Sequence, residues 1–190
     1  MDPFEKLDLW YREAEAAGQA QPEAMALATA SADGMPSVRM VLLRGWDARG
    51  FTFFSNRGSR KGAELAANPQ AALTLHWGVL GRSVRAAGRV TRAARSESVA
   101  YWVNRPRESQ AAAWASEQSR VIDSREELES RYQAILDRFS GGPLPLPPFW
   151  GGYRLRPDWV EFWEHRANRL HHRLLLTRRR GGWREEILQP

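Results

Sequence analysis

The chain has 190 residues, 43% of them hydrophobic, with no cysteine and a formal net charge of +6. That length suits one domain, residues 1–190, with a real core, and the absence of cysteine excludes disulfides, thiolate metal sites and cysteine nucleophiles. No apolar run reaches membrane-spanning length, and Met1-Asp2-Pro3-Phe4-Glu5 lacks the basic and apolar regions of an export signal, so the cytoplasm is the expected location.

In chain order, Phe4, Leu7, Trp10, Tyr11 and Ala14 recur at helical spacing, which predicts a helix over 3–17 stopped by Gly18. A strand is expected over 25–31, a hairpin turn at Asp33-Gly34, a second strand over 37–46, a turn at 47–50 and a strand over 51–55. Ser59 caps a helix that Asn68-Pro69 ends. Strands over 71–77 and 82–92 follow, then helices on either side of Pro106 and a charged helix over 124–139. The proline-rich loop 141–148 precedes three closing strands, 153–163, 170–178 and 183–188. Strands with helical inserts, without β-α-β alternation, point to a mainly β, α+β fold: an antiparallel sheet or barrel with peripheral helices.

The positive charge is almost all arginine, since Lys6 and Lys61 are the only lysines. Arginines interleaved with Asp and Glu fit a phosphorylated small ligand as well as they fit nucleic acid. The one run, Arg178-Arg179-Arg180, precedes Gly181-Gly182 and reads as a solvated hairpin tip.

Four stretches carry chemistry. Around Pro106, one helix ends near Asn104 and another begins, so Tyr101, Arg105 and Ser109 converge beside free helix N–H groups, a combination suited to a dianionic phosphate or to a solvated helix pair. Ser37 to Arg44 is continuously apolar apart from its arginines, which predicts a strand buried on both faces. Arg39 within it then needs a core carboxylate or an anionic ligand, with Arg44 at the far end of the same strand. Arg60 and Lys61 follow Gly58-Ser59 at a helix start, where cations oppose the helix dipole unless an anion rests there. In a strand starting near Arg169, residues Arg169, His171 and Arg173 share one face. A metal site is disfavoured, because adjacent His171 and His172 diverge on a strand and no carboxylate sits at ligand spacing. Gly-x-Ser-x-Gly, His-Glu-x-x-His and Gly-x-Gly-x-x-Gly motifs are all missing, which leaves hydrolase and nicotinamide readings without support.

Arg39-Met-Val-Leu-Leu43, Gly58-Ser-Arg-Lys61, Arg105-Pro-Arg-Glu-Ser-Gln110, Gln118-Ser119, Phe149-Trp-Gly-Gly152 and Arg169-Leu-His171, in this order, resemble the pyridoxamine 5'-phosphate oxidase family over nearly the whole chain. The resemblance implies an FMN-binding split β-barrel with the flavin at a homodimer interface. It implies FMN contacts for Arg39, Met40, Val41, Arg44, Phe54, Ser55, Arg60, Lys61, Ser83, Gln118, Ser119, Trp163 and Arg173. Tyr101, Arg105 and Ser109 would grip the substrate phosphate, with Arg44 beside them, and Arg169 and His171 would face the reacting pyridine ring as the catalytic pair. The implied reaction oxidises pyridoxamine or pyridoxine 5'-phosphate to pyridoxal 5'-phosphate by hydride transfer to the flavin, with O2 reduced to H2O2 and no metal, nucleic acid or membrane involved.

Some positions depart from the family pattern. Arg44 stands where lysine is usual, Phe54-Ser55 replaces Tyr-Thr, Ser83 replaces glutamine and His172 replaces an acidic residue. The resemblance also implies that the chain starts after a family N-terminal arm. These departures spare the phosphate seats and touch the ring environment, so a phenazine-biosynthesis type substrate, or a non-catalytic flavin- or pyridoxal-phosphate-binding role, are the alternatives.

Overall fold

The computed structural model describes all 190 residues. Helix α1 (Pro3–Ala16) opens the chain, its first turn capped by the Asp2 carboxylate accepting from the Phe4 N–H at 2.9 Å. Strands β1 (Ala24–Ala30), β2 (Pro36–Leu42), β3 (Gly45–Asp47) and β4 (Gly50–Asn56) follow, then α2 (Arg60–Ala67), β5 (Gln70–Trp77) and β6 (Arg82–Arg92). Helices α3 (Arg95–Val103), α4 (Arg107–Ala115) and α5 (Arg125–Arg138) precede β7 (Trp150–Glu164), β8 (His172–Arg179) and β9 (Gly182–Ile187).

All strand pairs are antiparallel, in the order β2-β1-β5-β6-β7-β4-β3, with β8 and β9 branching from β7. The path curls so that β2 passes close to β4, giving a split barrel with peripheral helices. Strand β7 organises this shape. Its first part, Trp150 to Leu155, pairs with β4, while its last part, Trp159 to Glu164, pairs with β8. The barrel is filled by alternating inward residues, among them Met25, Leu27, Phe51, Phe53, Leu73, Leu75, Leu155, Val160 and Phe162. The apolar stripe of α1 (Phe4, Leu7, Trp10, Ala14) closes it. Each such large side chain contributes roughly 1.5–3 kcal/mol. A smaller cluster, Trp102, Ala111, Leu144 and Trp150, ties α3 and α4 to the proline-rich loop.

Four expectations are corrected. The single strand over 37–46 is two. At Leu43 the chain leaves β1, and the Arg44 N–H donates instead to the Thr52 carbonyl, so Arg44 sits at a corner between β2 and β3. Nor is β2 buried on both faces: it ends the sheet path, and Val38 and Met40 are 68% and 66% exposed. Arg169 is not in a strand, because Ala167–Arg169 forms a 3-10 turn and β8 begins at His172. Alternation along a strand therefore does not explain the Arg169, His171, Arg173 grouping. The arginine run is also only partly solvated. Arg179 and Arg180 are exposed, but Arg178 lies over the Trp183 ring at 4.4 Å and donates to the Pro157 carbonyl.

Candidate active site

A cavity of about 800 Å³ lies between the barrel and helices α3 to α5. That size suits a cofactor or drug-sized ligand. Met40, Val41, Arg44, Phe54, Ser55, Lys61, Tyr101, Arg105, Ser109 and Gln118 all line it. Ten residues expected from widely separated sequence positions are thus brought to one place.

One end of the cavity is an anion seat. Ser59 caps α2, accepting from the Gly62 N–H at 3.3 Å, and this turns Lys61 inward. The Lys61 ammonium is buried and donates to Gln118 Oε1 at 2.8 Å, Ser55 Oγ at 3.1 Å and Ser59 Oγ at 3.3 Å. None of its partners is a carboxylate. Burial, with Arg39 adding and Glu64 opposing, lowers its pKa from 10.5 to about 8. A buried ammonium served only by neutral oxygens is costly unless an anion joins it.

The other end is built at the α3–α4 junction. Pro106 takes the N-cap position of α4, between Asn104 at the end of α3 and Arg107. Arg105 is placed over the Trp150 ring at 5.3 Å, and its Nε is buried with no partner. Burial depresses the Arg105 pKa, with Tyr101 opposing and Arg44 adding. Ser109, in the first turn of α4, and Tyr101 share the wall.

Between the two ends is an aromatic stack that the sequence reading did not contain. Phe54 lies on Tyr101 with centroids 4.1 Å apart and planes at 6°, and Trp150 continues the stack, 5.6 Å from Phe54 at 8°. The signal for it was Phe149-Trp-Gly-Gly152. A Cβ at Gly152 would come within 2.9 Å of the Phe54 ring and 2.8 Å of Ala93, so only glycine lets the stack form. Asn56, Leu128, Glu129 and Tyr132 also line the cavity and were missed. The three from α5 sit on a charged helix whose sequence gives no hint of which face meets the barrel.

The remaining expected residues lie elsewhere. Arg39 faces Thr29, Ser37 and Glu64, and its guanidinium to Glu64 distance is 3.1 Å, so the core-carboxylate alternative is realised. Arg60 is on the exposed side of α2, 2.9 Å from Glu64. Ser119, with φ +74, is exposed next to Gln118.

Ser83, Trp163, His171 and Arg173 form a second locus, with Arg169 on the adjacent turn. Ser83 pairs with Trp163, and Trp163 with Arg173, across β6, β7 and β8. The Trp163 and His171 rings are 4.6 Å apart, and His165 joins them at 5.2 Å from His171. His171 Nδ1 accepts from the Arg166 N–H at 3.3 Å, which leaves Nε2 as the donor of the neutral ring. Arg173 makes a bidentate pair with the buried Glu161 at 2.9 and 3.2 Å. Asn168 and Arg169 have φ of +57 and +62. Consecutive left-handed non-glycine residues store strain, a recurring feature of functional turns. No residue of this locus lines the cavity. Trp150 and Trp163 mark the two loci near opposite ends of β7, about 40 Å apart along an extended strand.

No group of three His, Asp or Glu side chains is close enough to hold a metal ion, and no helix is long and apolar enough to cross a membrane.

Comparison with known proteins fits this geometry. A family profile described as pyridoxamine 5'-phosphate oxidase matches residues 12–139, and one described as the pyridoxine 5'-phosphate oxidase C-terminal dimerisation region matches residues 150–190. A pyridoxine/pyridoxamine 5'-phosphate oxidase of Rubrobacter xylanophilus is 53% identical over 189 residues, covering 100% of this chain and 87% of the relative. One of Burkholderia cenocepacia is 52% identical over 192 residues, covering 100% and 89%. Among solved structures, PhzG from Burkholderia lata 383, in complex with tetrahydrophenazine-1-carboxylic acid, superposes with a TM-score of 0.94 at 35% identity, covering 100% and 93%. An FMN-binding protein of Nostoc punctiforme PCC 73102 shares the fold at a TM-score of 0.79 and 17% identity, covering 100% and 98%. With profile matches along most of its length and relatives above half identity from end to end, the chain belongs to the pyridoxamine 5'-phosphate oxidase family.

Proposed function

We propose that this chain is an FMN-dependent oxidase acting on pyridoxamine or pyridoxine 5'-phosphate, working as a homodimer. The observation that carries the reading is the pair of cationic seats in one cavity. Lys61 is buried without a carboxylate, and Arg105 is half-buried with a buried, unpartnered Nε. One seat suits the FMN phosphate and the other the substrate phosphate, with the Phe54–Tyr101–Trp150 stack as the apolar wall between them.

Lys61, Ser55 and Gln118 would hold the flavin phosphate, with Arg39 and Arg60 supplying nearby charge. Tyr101, Arg105 and Ser109 would hold the substrate phosphate, and Arg44, 5.9 Å over the Tyr101 ring, would border both ligands. When bound, FMN supplies two-electron redox chemistry with O2 as final acceptor. Arg169 and His171 would orient and polarise the pyridine ring, the His171 Nε2–H serving as donor. Because these two lie far from the cavity of their own protomer, each site would combine one protomer's cavity with its partner's Trp163–His171 rim. The exposed apolar residues Val38 and Met40 on β2, and the resemblance of residues 150–190 to a dimerisation region, support that assembly.

A second reading has a specific observation behind it: the superposition on PhzG with its tricyclic carboxylic acid. The Tyr101, Arg105, Ser109 seat favours a phosphorylated substrate instead. The test is to load the protein with FMN and add pyridoxamine 5'-phosphate without oxygen. Bleaching of the flavin band, reversed by air, is expected. A flavin that stays oxidised with this substrate and bleaches with tetrahydrophenazine-1-carboxylic acid would overturn the assignment.

A further inference from the structure

Glu64 is the most heavily hydrogen-bonded carboxylate outside the residues assigned so far. It lies on α2, one helical turn from Arg60, and is 7% exposed. Its Oε2 accepts from Ser37 Oγ at 2.7 Å, from the Arg39 guanidinium at 3.1 Å and from Thr29 Oγ1. Its Oε1 accepts from Arg60 Nε at 2.9 Å. Arg39 is held further by Thr29 and Ser37, both at 2.5 Å, and by the Leu27 carbonyl at 3.1 Å. One buried carboxylate therefore ties β1, β2 and α2 together and holds two guanidinium groups, that of Arg39, whose field reaches the Lys61 ammonium, and that of Arg60 on the exposed side of α2.

We propose that Glu64 is a positioning residue for the flavin phosphate: it holds the Arg39 guanidinium in place beside the Lys61 end of the cavity. The proposal rests on the FMN reading given above. A plain structural strut would not need this arrangement, because a buried ion pair adds little stability over apolar packing of the same size. The charges also fit. Arg39 and Lys61 are the two cations whose fields meet at this end of the cavity, and Glu64 is the anion set between them. Without Glu64 the two cations would repel one another. The field of Arg39 lowers the Lys61 pKa and that of Glu64 raises it, so Glu64 helps keep the ammonium charged. Glu64 itself stays ionised: burial pushes its pKa up, but hydrogen bonds from Thr29, Ser37, Arg60 and Arg39 bring it down to about 2.

The test compares FMN with riboflavin, which lacks the phosphate, by quenching of flavin fluorescence on titration with the full-length protein. The parent protein is expected to bind FMN more tightly than riboflavin. In Glu64→Gln, FMN affinity should fall about 10- to 100-fold, the cost of losing charge-assisted hydrogen bonds, while riboflavin affinity stays within about twofold. Glu64→Asp should recover part of the loss, because it restores the charge. Equal losses for both flavins, together with a lower melting temperature, would make Glu64 a strut and overturn the proposal, as would unchanged or tighter FMN binding. If Glu64→Gln does not fold, Ser37→Ala removes one hydrogen bond from the same carboxylate and one from Arg39. It should weaken FMN alone, and an unchanged FMN affinity there would count against the proposal. Failure of the underlying reading is separately visible, since a parent protein that does not prefer FMN to riboflavin has no phosphate seat for Glu64 to serve.

Discussion

The cavity and the Trp163–His171 rim hold their positive charges in opposite ways. In the cavity, Lys61 is buried, Arg105 is half-buried with its Nε enclosed, and no carboxylate answers either. At the rim, Arg173 is clamped by Glu161, Arg166 pairs with Glu164 at 2.7 Å, and Arg169 is exposed on a left-handed turn. Burial without a partner stores a demand for an anion, whereas pairing or exposure removes that demand. Under the proposed function, the cavity would recruit the phosphates, and the rim would meet a ring bound by the other protomer, so that one region would supply affinity and the other orientation.

Five experiments test that contrast. The largest effect is expected for Lys61→Met, which removes the one buried ammonium: FMN affinity should fall by about 100-fold or more, roughly 3 kcal/mol, while the flavin-free protein remains folded. Retained FMN binding would remove the demand on which the contrast rests. Next, Arg169→Ala should keep full flavin content and lose turnover by about 100-fold, because it disturbs ring orientation alone. These two variants also test the shared site. Hybrid dimers of a Lys61→Met protomer and an Arg169→Ala protomer would contain one site with an intact cavity and an intact rim, and so should regain activity that neither parent variant shows. No regain would place cavity and rim in the same protomer. Smaller is Arg105→Met, for which KM for pyridoxamine 5'-phosphate should rise about 30-fold with little change in flavin affinity. An equal effect on the dephosphorylated amine would detach Arg105 from the phosphate.

The smallest expected effect is on pH dependence. The Lys61 pKa is lowered from 10.5 to about 8 by burial first, then by Arg39, with Glu64 opposing. A lysine whose folded pKa lies below its unfolded one opposes folding while charged, and that penalty is relieved as pH rises from about 8 to 10.5. FMN affinity should move the other way, because the anion needs the charged form: it should drop about five- to tenfold between pH 7.5 and 9. The flavin phosphate titrates near about 6, so it does not contribute to a fall in that range. Lys61→Arg, which stays charged, should flatten the profile, and an unchanged fall in that variant would assign it to another group.

Much of the fold was legible because local chemistry sets it. The α1 stripe, the Ser59 cap, the break at Pro106 and the hairpin at Asp33-Gly34 all act over a few residues. Reading failed where the outcome depended on what lay across the sheet. Residues 37–46 look like one strand, since nothing in their pattern records that Leu43 and Arg44 change partners. The apolar run in β2 predicts burial, yet Val38 and Met40 face outward because β2 ends the sheet path.

The candidate site divides in the same way. The sequence by itself determined the kinds of groups present and their local settings: cations at the start of α2, hydroxyl and guanidinium beside Pro106, imidazole and guanidinium near the last strands. Spacing along the chain carries that information because caps, turns and proline junctions are short-range devices. Only the tertiary structure decided which groups meet. It stacked Phe54, Tyr101 and Trp150, left Lys61 without a carboxylate, gave Arg39 to Glu64, and set the cavity and the rim near opposite ends of β7. Those outcomes depend on strand order and on the length of one strand shared by two partners. They are long-range pairings that no local pattern encodes.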